Sequence, residues 1–210
     1  MLDFMVVGLR ERKKSATKDA LSAAALELAL ERGLHGATAE AIAGAADVST
    51  RTFHNYFANK EDAILFVLEK IVAGLVDAFA ERDPREPILD SLEAVMVDSV
   101  ESDGVFDRMI AVNRLMAQHP SLVARHVAVH DTTSDPLLSE IARRTGTDPT
   151  VDLYPRLVYQ ATNAVCRSAM ELHIDRPLDA AALQNSLVAA FREGFRQLRR
   201  GLPQSAWACC

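Results

Sequence analysis

The 210-residue sequence has little of what a cross-linked or metal-stabilised small protein needs. It contains three cysteines, of which Cys166 is isolated and Cys209 and Cys210 are adjacent. No cysteine has the spacing to another Cys or His that a zinc site requires, and no disulfide framework is suggested. Because this cysteine usage is typical of a reducing compartment, we predict a cytoplasmic location.

Long apolar runs are also missing from the sequence. No stretch approaches the roughly 20 apolar residues of a membrane-spanning helix. The N-terminus becomes charged too soon for a secretory signal, whose apolar region covers about 7–15 residues. We therefore expect no membrane partner.

The sequence lacks the alternating pattern of Val, Ile and Thr that indicates strands. Ala and Leu dominate, and apolar residues recur at spacings of three and four, which predicts an all-α fold of about nine helices. The predicted helices cover about 17–32, 38–46, 49–57, 59–82, 87–100, 105–118, 121–146 (kinked or split at Asp135-Pro136), 148–173 and 179–200.

Charge is distributed unevenly along the chain, whose formal net charge is -6. Residues 1–60 hold eight Lys and Arg against seven Asp and Glu, whereas residues 61–210 hold fifteen against twenty-two. An acidic average argues against a general polyanion binder, but the basic residues of the first part are clustered. They are Arg10, Arg12, Lys13, Lys14 and Lys18. We predict a head over 1–60 that is compatible with a polyanion, and an acidic body over 61–210.

Two short predicted helices, Thr38–Ala46 and Ser49–Phe57, are separated by a brief turn and form a candidate helix-turn-helix. The first is rich in Ala, so that the second can pack closely across it. In the second, Phe53 and Phe57 lie four residues apart and face inward. Short polar side chains remain on the opposite face, which suits a helix that enters the major groove of DNA.

The residues from Thr38 to Lys60 read TAEAIAGAADVSTRTFHNYFANK, and they resemble the DNA-binding signature of the TetR/AcrR family of bacterial transcriptional regulators. The resemblance is close over about residues 10–65, and the later helices agree only in number and length. It implies a three-helix DNA-binding domain, a connecting fourth helix, and a larger helical domain that binds a ligand and dimerises. One departure is Asp47, which stands where the family usually has Gly; Asp also tolerates unusual backbone angles.

The resemblance assigns roles to residues of the head. Thr38, Tyr56 and Lys60 would contact phosphates, and an arm at residues 12–14 would contact the flanking backbone or the minor groove. Five residues of the second helix would enter the major groove. The predicted DNA-binding residues are Arg12, Lys13, Lys14, Thr38, Thr50, Arg51, Thr52, His54, Asn55, Tyr56 and Lys60.

Side-chain chemistry refines these roles. Arg51 is the best guanine reader of the set and Asn55 the best adenine reader, because their paired donors and acceptors match those base edges. Three alternatives stay open: Tyr56 packs inside the protein, His54 faces solvent, and the arm is a solvated tail.

A closer resemblance involves three segments, GLRERKK, RTFHNYF and TGTDP followed by LYPRLV. They are similar to segments of actinobacterial regulators of the mycofactocin system. That resemblance implies a long-chain acyl-CoA as the effector.

The body is expected to hold a mostly apolar cavity with a few polar groups. Methionines suit an adaptable pocket, although Met at helical spacing also occurs in plain core. Asn113, Asn163 and Arg167 interrupt apolar helix faces and need a partner, which is either a ligand or another side chain. The predicted effector-binding residues are Met96, Phe106, Met109, Asn113, Met116, His130, Tyr159, Asn163 and Arg167.

His126 and His130 stand four residues apart, a spacing at which two imidazoles can share a metal. No third ligand accompanies them, so a solvated or hydrogen-bonded pair is favoured, and neither a metal nor a cofactor is predicted. Because no Ser, His and Asp form a nucleophile elbow or a triad order, no enzymatic activity is predicted.

The sequence thus predicts a TetR-like repressor that leaves a palindromic DNA operator when a small hydrophobic effector binds. A homodimer is expected to form through the eighth and ninth predicted helices, whose apolar stripes could instead be core of one chain. Two rival functions are a DNA-binding regulator without a small-molecule effector and a helical ligand-binding protein that does not bind DNA.

Overall fold

The computed structural model describes residues 2–102, 104–129, 135–173, 176 and 178–202, with side chains from residue 11 onward except at 128 and 129. Over these residues the chain forms ten helices and no strand, which confirms the all-α class. The helices are α1 (Leu2–Gly36), α2 (Ala39–Ala45), α3 (Thr50–Tyr56), α4 (Lys60–Glu81), α5 (Ile88–Glu101), α6 (Val105–Gln118), α7 (Pro120–Val129), α8 (Pro136–Thr145), α9 (Leu153–His173) and α10 (Ala180–Arg199).

The described residues group into two compact units. The first unit combines the chain up to Lys70 with Arg108–Val129, and the second combines Ile71–Asp107 with the chain after residue 129. The first unit therefore holds α1 to α3, the beginning of α4, most of α6 and all of α7. Two helices, α4 and α6, contribute residues to both units.

The first helix is much longer than its pattern predicts. It begins at Leu2 rather than near Thr17, and it bends at Gly33, whose φ of 71° is a conformation that glycine adopts readily. Thr17 lies within this helix, where its hydroxyl donates to the carbonyl oxygen of Lys13 at 3.0 Å. The predicted end of this helix near residue 32 corresponds to the bend, after which helical residues continue to Gly36.

The second unit is organised around α10, which packs against α5 and α9, while α8 packs against α9. Leu187, Phe191 and Phe195 on α10 are almost wholly buried. A Cβ atom placed on Gly194 would lie 2.7 Å from Cγ1 of Val165 on α9, so the glycine permits a close approach of the two helices. The apolar stripe of α10 therefore serves the core of its own chain.

The predicted seventh helix is split into α7 and α8, which is one of the two outcomes expected at Asp135-Pro136. Asp135 caps α8 by accepting the N–H of Leu137 at 2.8 Å. The predicted eighth helix does not start at Asp148. That carboxylate accepts both the N–H and the hydroxyl of Thr150, at 2.8 and 2.7 Å, which makes a local turn, and α9 starts at Leu153.

Among the described residues, no helix has both the length and the apolarity that a membrane span requires.

Candidate nucleic-acid interface

The helix-turn-helix is built from two capped short helices. Thr38 begins α2 by accepting the N–H of Ala41 on its hydroxyl oxygen at 3.2 Å, and Ser49 begins α3 by accepting the N–H of Thr52 at 3.1 Å. Both caps satisfy N–H groups that a helix start leaves unpaired. The predicted starts of both helices are confirmed.

The turn between the two helices depends on Asp47. Its φ is 53°, in the left-handed region, and the chain there closes through the N–H of Val48, which donates to the carbonyl oxygen of Ala43 at 2.9 Å. Asp occupies this region more readily than most residues, because its short polar side chain can interact locally. The Gly-to-Asp departure in the motif is therefore compatible with the turn.

The inner face of α3 is anchored by aromatic rings. Phe53 and Phe57 are buried, and the Phe57 ring lies 5.6 Å from that of Phe66 on α4. The ammonium of Lys18 lies 3.8 Å from the centre of the Phe66 ring and 5.4 Å from that of Phe57. A cation over a ring face is attracted by the ring quadrupole. Lys18 of α1 thus contacts the ring of Phe57, which follows α3, and the ring of Phe66 on α4, and so supports the packing of these helices.

The outer face of α3 is polar and accessible. Arg51, His54 and Asn55 are exposed, whereas Thr50 and Tyr56 are half-buried. Thr52 is also half-buried, and its hydroxyl is hydrogen-bonded to that of Ser49 at 2.9 Å. The structure therefore brings all six predicted residues of this helix together on one short element and leaves three of them exposed.

The remaining predicted DNA contacts lie on α1, α2 and α4. Thr38 is exposed, and so are Arg12, Lys13 and Lys14, which occupy the helical N-terminal part of α1 rather than an extended arm. Lys60 donates its ammonium to the carbonyl oxygen of Leu34 at 2.6 Å. An ammonium has three donors, so this bond leaves others for a phosphate.

Two contacts that hold the start of α4 could not be predicted from the residues that neighbour it in sequence. The buried hydroxyl of Ser22 donates to the carbonyl oxygen of Ala63 at 2.7 Å, and Arg125 of α7 forms a two-pronged ion pair with Asp62 at 2.5 and 3.0 Å. Their partners are 41 and 63 residues apart in sequence. The sequence offers only an indirect hint, a serine within the apolar stripe of α1.

The predicted effector-binding residues are divided between the two units. Met109, Asn113 and Met116 are half-buried on α6 in the first unit, and the amide of Asn113 donates to the carbonyl oxygen of Met109 at 2.8 Å. The second unit holds the other described members. Met96, Phe106 and Tyr159 are buried, Asn163 is half-buried and Arg167 is exposed; His130 lies outside the described residues.

The buried hydroxyl of Tyr159 has a partner in its own chain. It donates to Oδ2 of Asp135 at 2.6 Å, and the same carboxylate caps α8. Burial, helped by the hydrogen bond to Asp135, raises the pKa of Tyr159 to about 12. The phenol therefore stays protonated at neutral pH and joins α9 to the start of α8.

Two family models match the chain. Residues 21–65 match the model of bacterial regulatory proteins of the tetR family, and residues 86–203 match the model of the MftR C-terminal domain. The chain belongs to the TetR family. It is a DNA-binding transcriptional regulator, and the alternative of a helical protein that does not bind DNA is set aside.

Relatives of this TetR-family chain agree with the assignment. It is 33% identical to the HTH-type transcriptional regulator TcmR of Streptomyces glaucescens, over 92% of this chain and 91% of that one. It is 27% identical to MftR of Mycobacterium tuberculosis, which carries the name of a mycofactocin biosynthesis transcriptional regulator, over 86% and 90% of the two chains. A transcriptional regulator from Rhodococcus shares the fold with a TM-score of 0.53 at 22% identity, covering 90% of this chain and 99% of that one.

Proposed function

We propose that this TetR-family regulator is a homodimeric repressor, which reads a palindromic operator through α3 and leaves it when a small hydrophobic effector binds. The observation that carries the DNA-reading part is the polar outer face of α3, with Arg51, His54 and Asn55 exposed over a buried aromatic face. Base edges in the major groove distinguish all four base pairs, so this face is able to select a sequence.

Within this proposal the contacts fall into two classes. Arg51 and Asn55 read bases, helped by Thr50, Thr52 and His54. The phosphate class positions the protein without reading sequence. It consists of Thr38, Tyr56, Lys60 and the exposed basic residues Arg12, Lys13 and Lys14.

The exposed apolar residues on the outer face of α9 support the proposal that the chain forms a dimer. Leu153, Leu157 and Leu172 are 67%, 55% and 64% exposed, although they are large apolar side chains. Between them the outer face carries the small exposed residues Ala164 and Ser168. Apolar surface of this kind marks an interaction site when it is contiguous. We therefore assign the dimer contact mainly to α9, with the outer face of α10 beside it.

The proposed effector class rests on the sequence resemblance to regulators of the mycofactocin system, which implies a long-chain acyl-CoA. The match of residues 86–203 to the MftR C-terminal domain is in line with that resemblance. Candidate lining residues within the second unit are Met96, Phe106, Tyr159 and Asn163.

Fluorescence anisotropy with a labelled duplex tests operator binding and release together. The duplex is selected from random-sequence DNA by the wild-type chain, and palmitoyl-CoA, free CoA and palmitate are added below micellar concentration. We expect two chains per duplex and release by palmitoyl-CoA alone. Release by none of the three, with tight binding retained, would favour a regulator that has no such effector.

A reporter gene placed behind the selected duplex tests the direction of regulation. Repression predicts that reporter output falls when the chain is expressed and recovers when the effector is supplied. A rise in output on expression would show an activator instead.

A further inference from the structure

The segment 108–129 changes the charge of the first compact unit. It contains Arg108, Arg114 and Arg125 and no Asp or Glu, although it lies in the acidic part of the sequence. With this segment the first unit holds twelve Lys and Arg against ten Asp and Glu, and without it nine against ten. The second unit holds eleven against nineteen. The segment therefore gives the unit that carries α3 a positive net charge, which favours a polyanionic partner.

The first turn of α4 is acidic at the place where a phosphate contact is proposed. Glu61 and Asp62 directly follow Lys60, which belongs to the proposed phosphate class. Acidic side chains stabilise a helix start through the helix dipole. The same end of a helix attracts phosphates, and an uncompensated carboxylate beside it repels them. Approach of a phosphate is therefore favoured when this negative charge is cancelled.

Arg125 of α7 supplies a cancelling charge within the same unit. Its guanidinium donates from Nε to Oδ1 of Asp62 at 2.5 Å and from Nη2 to Oδ2 at 3.0 Å. A two-pronged pair of this kind fixes geometry as well as charge. The pKa of Arg125 is raised above its usual value, mainly by the hydrogen bond to Asp62 and also by the charge of Glu61. The guanidinium thus balances Asp62 and lies close enough to interact with Glu61.

The start of α4 is held in place by other contacts as well. The N–H of Asp62 donates to Oδ1 of Asn59 at 2.8 Å, and the buried hydroxyl of Ser22 holds the carbonyl oxygen of Ala63 at 2.7 Å. The side chains of Arg125 and Asp62 remain 40% and 18% exposed. An ion pair that water reaches contributes little to stability. The charge that Arg125 places beside α4 is therefore its more important property.

We propose that Arg125 is an electrostatic positioning residue for DNA binding, which neutralises Asp62 and so lets the start of α4 approach the phosphate backbone. The proposal rests on the phosphate contact at the start of α4 that was proposed above. Arg125 acts through Asp62 and reads no base, so it strengthens binding to every sequence alike. Its contribution decreases as salt is raised, because salt screens a charge near DNA.

Fluorescence anisotropy of the full-length chain on the selected operator and on an unrelated duplex tests this role. Arg125→Gln leaves an unbalanced carboxylate at the start of α4, and we expect it to weaken binding to both duplexes roughly five- to tenfold at about 50 mM salt. Asp62→Asn removes that carboxylate, so it should bind as tightly as wild type or more tightly. The double variant has the wild-type net charge and should return to within about twofold of the wild-type affinity.

Arg143→Gln is the matched control. It changes the net charge by the same amount and breaks an exposed ion pair, with Glu140, in the second unit. It should change the affinity for either duplex by less than about twofold, because the charge is lost away from α4. Circular dichroism verifies that each variant is folded.

The salt dependence separates charge from misplaced packing. At about 200 mM salt the loss caused by Arg125→Gln should shrink to less than about threefold. A loss that arises because α4 and α7 no longer pack correctly would persist at the higher salt concentration.

The electrostatic role is overturned if the double variant binds as weakly as Arg125→Gln, because the pair then acts through contact rather than charge. It is also overturned if Arg125→Gln binds both duplexes like wild type. Failure of the proposed operator reading gives a different result, in which the wild-type chain binds the selected and the unrelated duplex equally well. The affinity differences among these variants decide the role of Arg125 in that case too, because they do not depend on sequence.

Discussion

At the scale of single residues, Asp47 shapes the turn that presents α3. It holds a left-handed φ of 53° without a glycine, and it places an exposed carboxylate next to α3, the helix that we propose reads DNA. Backbone tolerance and charge are separable properties of this residue, because Asn shares the first and lacks the second.

We predict that Asp47→Asn leaves the free energy of unfolding within about 0.5 kcal/mol of wild type and increases operator affinity several-fold at low salt. Removal of a negative charge near the phosphates explains the gain, which should shrink as salt is raised. Asp47→Ala is the control: it should cost about 1 kcal/mol of stability, because alanine does not tolerate this conformation as well. Weaker DNA binding by Asp47→Asn would show that the carboxylate does not face the duplex.

Capping residues were the most predictable features at this scale. Thr38, Ser49 and Asp179 cap α2, α3 and α10 as the sequence predicts, because a cap depends only on residues two or three positions away. The contacts of the Lys18 and Lys60 ammonium groups, by contrast, depend on partners that are distant in sequence. Lys18 is placed by the rings of Phe57 and Phe66, which belong to other helices, and no local pattern indicates such a contact.

At the scale of helices, the contact of α9 with α10 depends on Gly194. We predict that Gly194→Ala destabilises the chain by about 1–3 kcal/mol, because the new methyl group would meet Val165. Combining it with Val165→Ala should make the double variant more stable, by about 1 kcal/mol, than the sum of the single effects. Denaturant unfolding of the four proteins measures this coupling, and strictly additive effects would contradict the contact.

The junction between α4 and α5 should give a distinct pH dependence. Hydrogen bonds from Arg82 and Ser91 lower the pKa of Glu86 to about 2 from its usual 4.5. A lowered pKa means that the stabilisation is present above about pH 4.5 and is lost as the pH falls toward 2.

We therefore predict that Glu86→Gln lowers Tm relative to wild type at pH 6 and that this difference shrinks as the pH falls from 4.5 to 2. The control is Glu81→Gln, which changes an exposed carboxylate of α4 and should show no such trend. Thermal unfolding followed by circular dichroism provides the measurement. A difference that is constant across this range would mean that Glu86 is not held by its partners as a carboxylate.

The presence of most helices could be predicted from the sequence, whereas the residues at which they start were harder to predict. The periodic stripes of α5, α6 and α10 give bounds within a residue or two of the structure, because apolar spacing and breakers agree there. The start of α9 at Leu153 was missed because Asp148 makes a local turn where a cap with Pro149 was expected. Both outcomes are compatible with the Asp-Pro pair, and only packing selects between them.

At the scale of the whole molecule, the boundary suggested by charge does not coincide with the division into two compact units. The charge boundary near residue 60 separates a basic cluster from an acidic remainder, whereas the compact units place Arg108–Val129 with the DNA-binding helices. Long-range bonds such as the one between Arg125 and Asp62 produce this grouping, and a one-dimensional pattern does not contain them. The family and the helix-turn-helix were nevertheless accessible from 23 residues of sequence, because that motif is local.

The most direct test of sequence reading by α3 compares Arg51→Ala with Arg32→Ala, an equal charge change at an exposed position of α1. The measurement is the ratio of the dissociation constant for an unrelated duplex to that for the selected operator, at one fixed salt concentration. We predict that Arg51→Ala lowers this ratio roughly 5- to 150-fold, which corresponds to about 1–3 kcal/mol, while Arg32→Ala leaves it unchanged. An Arg51→Ala protein that is folded and retains the wild-type ratio would contradict the claim that the outer face of α3 selects the operator.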